Sequence, residues 1–115
     1  MDPLVLAALA KWPDVPAVTG WLSLTARGDW RLRGEPIVNE AIRAFIGRNY
    51  ACDAQGRWYF QNGPQRVYVS LALTPWVYRV EADGRVSAHT GAQPARCDAA
   101  ALLDDGRLLL VTDLG

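Results

Sequence analysis

The sequence predicts an α+β fold: a mostly antiparallel, meandering β-sheet built from hairpins and packed with two helices at about 3–12 and 38–48. Three observations carry that prediction. Apolar residues recur at helical spacing from Val38 to Ile46. Elsewhere they alternate with polar residues in short runs rich in aromatic and β-branched side chains. A turn signature of Asp and Gly followed by Arg precedes three of those runs, in "DAQGRWYF", "ADGRVSA" and "DDGRLLL", with "ARGDWRL" a looser version. At 115 residues the chain reads as a single domain, 1–115, long enough to bury a core.

The first helix opens at Asp2-Pro3, an acceptor side chain followed by a residue that needs no backbone donor. Helix formers follow from Leu4 to Trp12, and Pro13 and Pro16 close it. Its apolar residues run nearly all round, so it is either well buried or held against a partner. Next, Leu22 and Leu24 alternate with Trp21, Ser23 and Thr25, and Trp30 and Leu32 with Arg31 and Arg33, across the turn Arg27-Gly28-Asp29. A period of two on both arms of a short turn is a hairpin. Val38, Ala41, Ile42, Phe45 and Ile46 then make one helical stripe, with Glu40, Arg43 and Gly47 outside it.

From Tyr50 onward the chain reads as β-rich, with strands at Trp58-Tyr59-Phe60, Val67–Thr74, Trp76–Glu81, Val86–His89 and Leu108–Thr112. Val67, Val69, Leu71 and Leu73 form an apolar face opposed by Tyr68, Ser70, Ala72 and Thr74, which suits a strand covered on both sides. In the recurring turns, Asp closes the bend through its carboxylate and Gly supplies a positive φ. The spacing of these turns is uneven, which favours repeated hairpin chemistry over repeated structural units.

Composition bounds the function. Formal net charge is zero, so no general attraction to nucleic acid or anionic membrane is expected. From Arg27 to Arg66, seven Arg face Asp29, Glu35, Glu40 and Asp53, a balance of +3; from Asp98 to Gly115 the balance is −3. Such asymmetry suits either two faces of a self-associating protein or two ordinary solvated surfaces. The seven-residue apolar run Leu4–Ala10 is too short to span a bilayer, which takes about 20 residues, and its acidic start does not suit an export signal. A cytoplasmic protein with no membrane role is therefore expected, with Cys52 and Cys97 as reduced thiols rather than a bridge.

Chemistry-bearing motifs are sparse. The single His89 and two distant cysteines supply no close pair of metal ligands, so no metal and no cofactor are expected. Cys52 reads as a small buried hydrophobe. Trp, Tyr and Arg interleave in "WRLR", "GRWYF", "QRVYV" and "WVYRV", as in base-stacking sheets, but neutral charge and inward alternation argue against nucleic acid. The densest polar cluster is Gln61-Asn62-Gly63-Pro64-Gln65. Asn62-Gly63 with Pro64 makes a turn; Gln61, Gln65 and Arg66 exceed what a bend requires. The surplus suits a ligand, a partner chain, or hydrogen bonds to the loop Arg48-Asn49-Tyr50.

Two pieces, "VPAVTGWLSLTARGDWRLRGE" and "FIGRNYACDAQGRWYFQNGPQRVYVSL", resemble a family of small uncharacterised proteobacterial proteins, a domain of unknown function. The resemblance covers roughly Pro16 to Val80, most of it between Arg48 and Val69, and implies no reaction, cofactor or catalytic residue. The residues themselves point to a binding or self-assembly module rather than an enzyme, with a homodimer or another protein as partner. The binding surface would comprise Arg48, Asn49, Arg57, Gln61, Asn62, Gln65, Arg66 and Tyr68, whose guanidinium forks suit a carboxylate, a phosphate or backbone carbonyls. The alternative is an enzyme, or a binder of a small carboxylate or phosphate, with a pocket beside that hairpin and Asp53, Cys52 or His89 as its titrating group. A purely structural accessory domain is the third reading.

Overall fold

A computed structural model describes residues 1–115. Helix α1 (Pro3–Lys11) leads into β1 (Val18–Leu24), β2 (Trp30–Leu32) and β3 (Glu35–Pro36). Helix α2 (Glu40–Arg48) is followed by β4 (Tyr50–Cys52), β5 (Trp58–Asn62) and β6 (Gln65–Leu71). The remainder forms β7 (Tyr78–Val80), β8 (Val86–Ala88), β9 (Cys97–Leu102) and β10 (Leu108–Thr112). The α+β hairpin architecture is as the sequence predicts.

Six strands form one sheet in the order β3-β2-β1-β6-β5-β4, while β7–β8 and β9–β10 are separate two-stranded ribbons. The large sheet is two three-stranded antiparallel meanders placed side by side. Their seam is a parallel pair, Leu22 to Val69, Ser23 to Ser70 and Leu24 to Leu71. A parallel pair needs a long crossover, which is here everything between β1 and β6, α2 included. The register slips between Val18 and Leu22, around Gly20 at φ +78°. A Cβ on Gly20 would touch nothing within 4 Å, so the dihedral and not the space calls for glycine.

Leu22, Leu24, Trp30, Tyr50, Phe60 and Val67 meet Ile46 of α2 in the core. Phe45 stands edge-on to Phe60, ring centres 5.6 Å apart. The expected five-residue stripe on α2 is buried at one end only: Ile46 is 2 % exposed, but Ile42 is 50 % and Val38, which precedes the helix, 80 %. Gly47, expected outside the stripe, is half-buried against the ribbon; a Cβ there would sit 3.2 Å from Thr90 Cβ. The ribbon end His89-Thr90 thus occupies the side of α2 that the sequence assigned to solvent. Strand β6 ends at Leu71, and Leu73 is exposed.

Four hairpin turns share one backbone closure. Thr25 N–H bonds Asp29 O while Gly28 N–H bonds Thr25 O, and the same pair recurs at 53–57, 81–85 and 103–107. Three of them carry the Asp–Gly–Arg signature, and in each the carboxylate accepts both the backbone N–H and the Nε–H of its own Arg: Asp53 with Arg57, Asp83 with Arg85, Asp105 with Arg107. The repeated turn chemistry is therefore a carboxylate clasp.

Candidate functional site

The polar residues of the β5–β6 hairpin separate into two groups. Asn49 and Gln61 are interior, 0 % and 1 % exposed. Asn49 Oδ1 accepts the Asp2 backbone N–H at 2.8 Å, its Nδ2 donates to Phe45 O at 2.9 Å, and its carbonyl accepts Gln61 N–H at 2.8 Å. It ties α1, the end of α2 and β5 together. Gln61 Nε2 donates to Gly63 O at 3.0 Å across the turn, and its buried Oε1 has no partner. The Gln61 strand meets the loop after α2 through the main chain alone: no side chain of Gln61, Gln65 or Arg66 bonds that loop, and Gln61 closes its own turn instead. Asp2 does not cap α1 with its side chain. Its carboxylate takes Arg48 Nε–H at 3.2 Å instead.

The second group lies on the sheet face away from the core. Strand alternation and the pairings Gln61–Arg66, Tyr59–Tyr68, Ser23–Ser70 and Ser23–Arg31 put Arg66, Tyr68, Ser70, Ser23 and Arg31 on that one face, together with Gln61 and Tyr59, which are buried there. Three arginines there lie over rings: Arg66 over Tyr59 at 3.9 Å, Arg57 over Tyr68 at 4.7 Å and Arg33 over Trp21 at 4.8 Å. Arg57 Nε donates to Asp53 Oδ2 at 2.8 Å, and the Tyr68 hydroxyl donates to the same oxygen at 3.1 Å. Burial pushes the Asp53 carboxyl up, but the N–H groups of Arg57 and Gln55 and the Tyr68 hydroxyl outweigh it and hold it below the usual carboxylate range. Arg31, Arg33 and Arg66 have no carboxylate within salt-bridge distance. Asn62 is exposed and Gln65 half-buried, paired across the turn. Arg31, Arg33 and Trp21 were absent from the sequence-based surface; the pairing of β1 with β6, which sequence did not show, brings them beside it.

The three titrating groups considered for chemistry do not meet. Cys52 ends the edge strand β4 and is exposed rather than buried, with Sγ donating to Asp53 O. Cys97, also exposed, donates to Ala99 O. His89 Nδ1 accepts Val77 N–H at 3.2 Å, which assigns the proton to Nε2, a buried atom without a partner. Burial lowers the His89 pKa to about 4, so the ring is neutral at pH 7. It sits in an aromatic cluster with Trp30, Tyr50 and Trp76, ring centres 5.3 to 6.0 Å away. Tyr50 donates to Pro75 O at 2.7 Å and Trp76 Nε1 to Leu114 O at 2.9 Å, which joins the large sheet to the C-terminal ribbons. No group of three or more His, Cys, Asp or Glu side chains converges. No helix is long and apolar enough to cross a membrane.

A crystal structure of a DUF1285 family protein from Silicibacter pomeroyi DSS-3 is similar in fold, with a TM-score of 0.64 at 16 % identity, covering 100 % of this chain and 75 % of that one. No curated protein matches the chain. The family model DUF2944, described as "Protein of unknown function (DUF2946)", matches residues 1–115. The resemblance read from the two sequence pieces is thereby borne out, and the match extends it to both ends: the chain belongs to this family of unknown function.

Proposed function

We propose that the protein is a binding module that takes an acidic segment of a protein partner across the arginine–aromatic face. The observation that supports this best is Arg66, whose guanidinium lies 3.9 Å over the Tyr59 ring with no carboxylate partner, on the same face as the equally unpaired Arg31 and Arg33. A guanidinium held against a ring loses less rotamer freedom when it donates to a carboxylate. The same stacking argues against nucleic acid. Base stacking needs open ring faces, whereas Tyr59 is 8 % exposed and Trp21, Tyr59 and Tyr68 each carry an arginine.

The test is fluorescence polarisation with a labelled oligoglutamate peptide and, in parallel, a labelled single-stranded oligonucleotide. The Arg31→Ala/Arg33→Ala/Arg66→Ala variant should lose peptide binding at least tenfold. Equal binding by that variant overturns the proposal, and tighter binding of the oligonucleotide replaces it with the nucleic-acid reading.

A second reading, self-assembly, draws on α1. Only Val5 of this helix is buried, while Leu4 is 85 % exposed and Leu6 and Trp12 each 51 %. Of the two fates foreseen for an all-round apolar helix, this favours the one held against a partner. The +3 and −3 segments contribute less, because Asp98 and Asp105 already pair with Arg96 and Arg107 of their own ribbon.

A further inference from the structure

A polar concavity lies outside that face, under the β1–β2 turn. It encloses about 300 Å³, and Arg27, Arg79, Glu81, Ser87 and His89 supply its polar lining. Its construction follows from two facts. Arg79 and Ser87 are register partners in the β7–β8 ribbon, and alternation sets Val77, Glu81 and His89 on their side. The β1–β2 turn then seats on that side through a glycine: a Cβ on Gly28 would lie 2.9 Å from His89 Cβ and 3.3 Å from Val77 Cβ. This close approach brings Arg27, the residue before Gly28, to the cleft that Arg79 enters from the ribbon.

Neither guanidinium has a carboxylate partner, although Glu81 lines the same cleft. Neither makes a side-chain hydrogen bond of any kind, unlike Arg48, Arg57, Arg85, Arg96 and Arg107. Two guanidinium groups without an acceptor, a hydroxyl and a half-buried floor of Val77 and His89 make a receptor for an oxyanion. The uncharged imidazole below adds no charge of its own.

We propose that this cleft binds a small oxyanion, the carboxylate or phosphate of a low-molecular-weight ligand, held between Arg27 and Arg79, with Ser87 donating its hydroxyl. Glu81 works against the charge and sets a preference for ligands that carry an amine beside the oxyanion.

The experiment is a titration of the ¹⁵N-labelled protein with inorganic phosphate, acetate and glycine, followed by amide NMR at constant ionic strength. Amides of Val77, Ser87, His89 and Gly91 should move saturably with at least one of the three probes. Arg27→Gln and Arg79→Gln, both exposed side chains, should each weaken binding about tenfold, and Glu81→Gln should tighten phosphate severalfold while weakening glycine. Which anion binds best separates the phosphate from the carboxylate source. No saturable shift at these amides with any probe, or equal affinity in the Arg27→Gln/Arg79→Gln double variant, overturns the proposal. Because Arg31, Arg33 and Arg66 are untouched, oligoglutamate binding to the same variants keeps the two sites distinguishable.

Discussion

The β5–β6 turn and the cleft under the β1–β2 turn are both polar, yet they stand in opposite states. Around the first, Asn49, Arg57, Tyr68 and Arg48 are consumed by partners within the chain, and Gln61 by its Nε2 alone. Around the second, Arg27 and Arg79 have none. Polar abundance in a sequence therefore does not by itself mark a site; the two proposed sites rest on hydrogen-bonding capacity left unspent. On the hairpin side such capacity remains in the buried Gln61 Oε1 and, at the surface, in Arg66 and the arginines that β1 and β2 add beside it.

The contrast breaks first at Asn49. If it is a lock, Asn49→Leu should cost about 3 kcal/mol in urea denaturation, because it leaves the Asp2 N–H and the Phe45 carbonyl buried and unpaired. A loss under about 1 kcal/mol would return Asn49 to the candidates for binding. Gly28→Ala should come next, at about 2 kcal/mol, since its φ of +91° is unfavourable for alanine and its Cβ would crowd His89. That variant should also close the cleft to anions, whereas Gly20→Ala, with a strained dihedral but open space, should cost only about 1 kcal/mol and leave the cleft intact.

His89 gives the contrast a pH axis. The unfolded imidazole takes up a proton near pH 6.5, but the folded one only near 4. Between those values the unfolded state binds more protons, so stability is full above pH 6.5 and falls as pH drops toward 4. The loss should reach about 3 kcal/mol by pH 4, and His89→Gln should flatten it. A wild-type stability that stays level from pH 6.5 to 4 would place His89 in water rather than among Trp30, Tyr50 and Trp76.

How much of this was legible in the sequence depends on range. Local chemistry was plain: the Asp–Gly–Arg turns, the period-two arms at Leu22–Leu24 and Trp30–Leu32, and the Val38–Ile46 periodicity each locate an element within a few residues. What sequence did not show is where one element meets another. Nothing in "VTGWLSL" or "QRVYVSL" announces that the two strands pair in parallel, yet that seam builds the arginine face. The strand Cys97–Leu102 lacks β-branched residues and carries no strand signal of its own; its pairing with β10 makes it a strand. Helical periodicity alone sets Gly47 toward solvent; Thr90, distant in sequence, covers it. The exposure of Cys52 likewise follows from its place on an edge strand, which its neighbours in sequence do not reveal.

The smallest effect on stability discriminates most. Arg66→Ala removes a guanidinium that touches the Tyr59 ring and forms no ion pair, so it should cost under about 1 kcal/mol. Gln61→Ala, its register partner, empties a buried position and breaks the bond to Gly63, at about 2 kcal/mol. Binding should rank the other way: Arg66→Ala weakens the oligoglutamate complex several-fold, while Gln61→Ala, once folded, leaves it unchanged. Both residues stand opposite each other on two paired strands, so distance from the site cannot explain a split. Only the difference between a side chain spent on the fold and one left for a partner can. If the two variants instead lose stability and binding in parallel, the hairpin acts as one structural unit and the arginine face is ordinary surface.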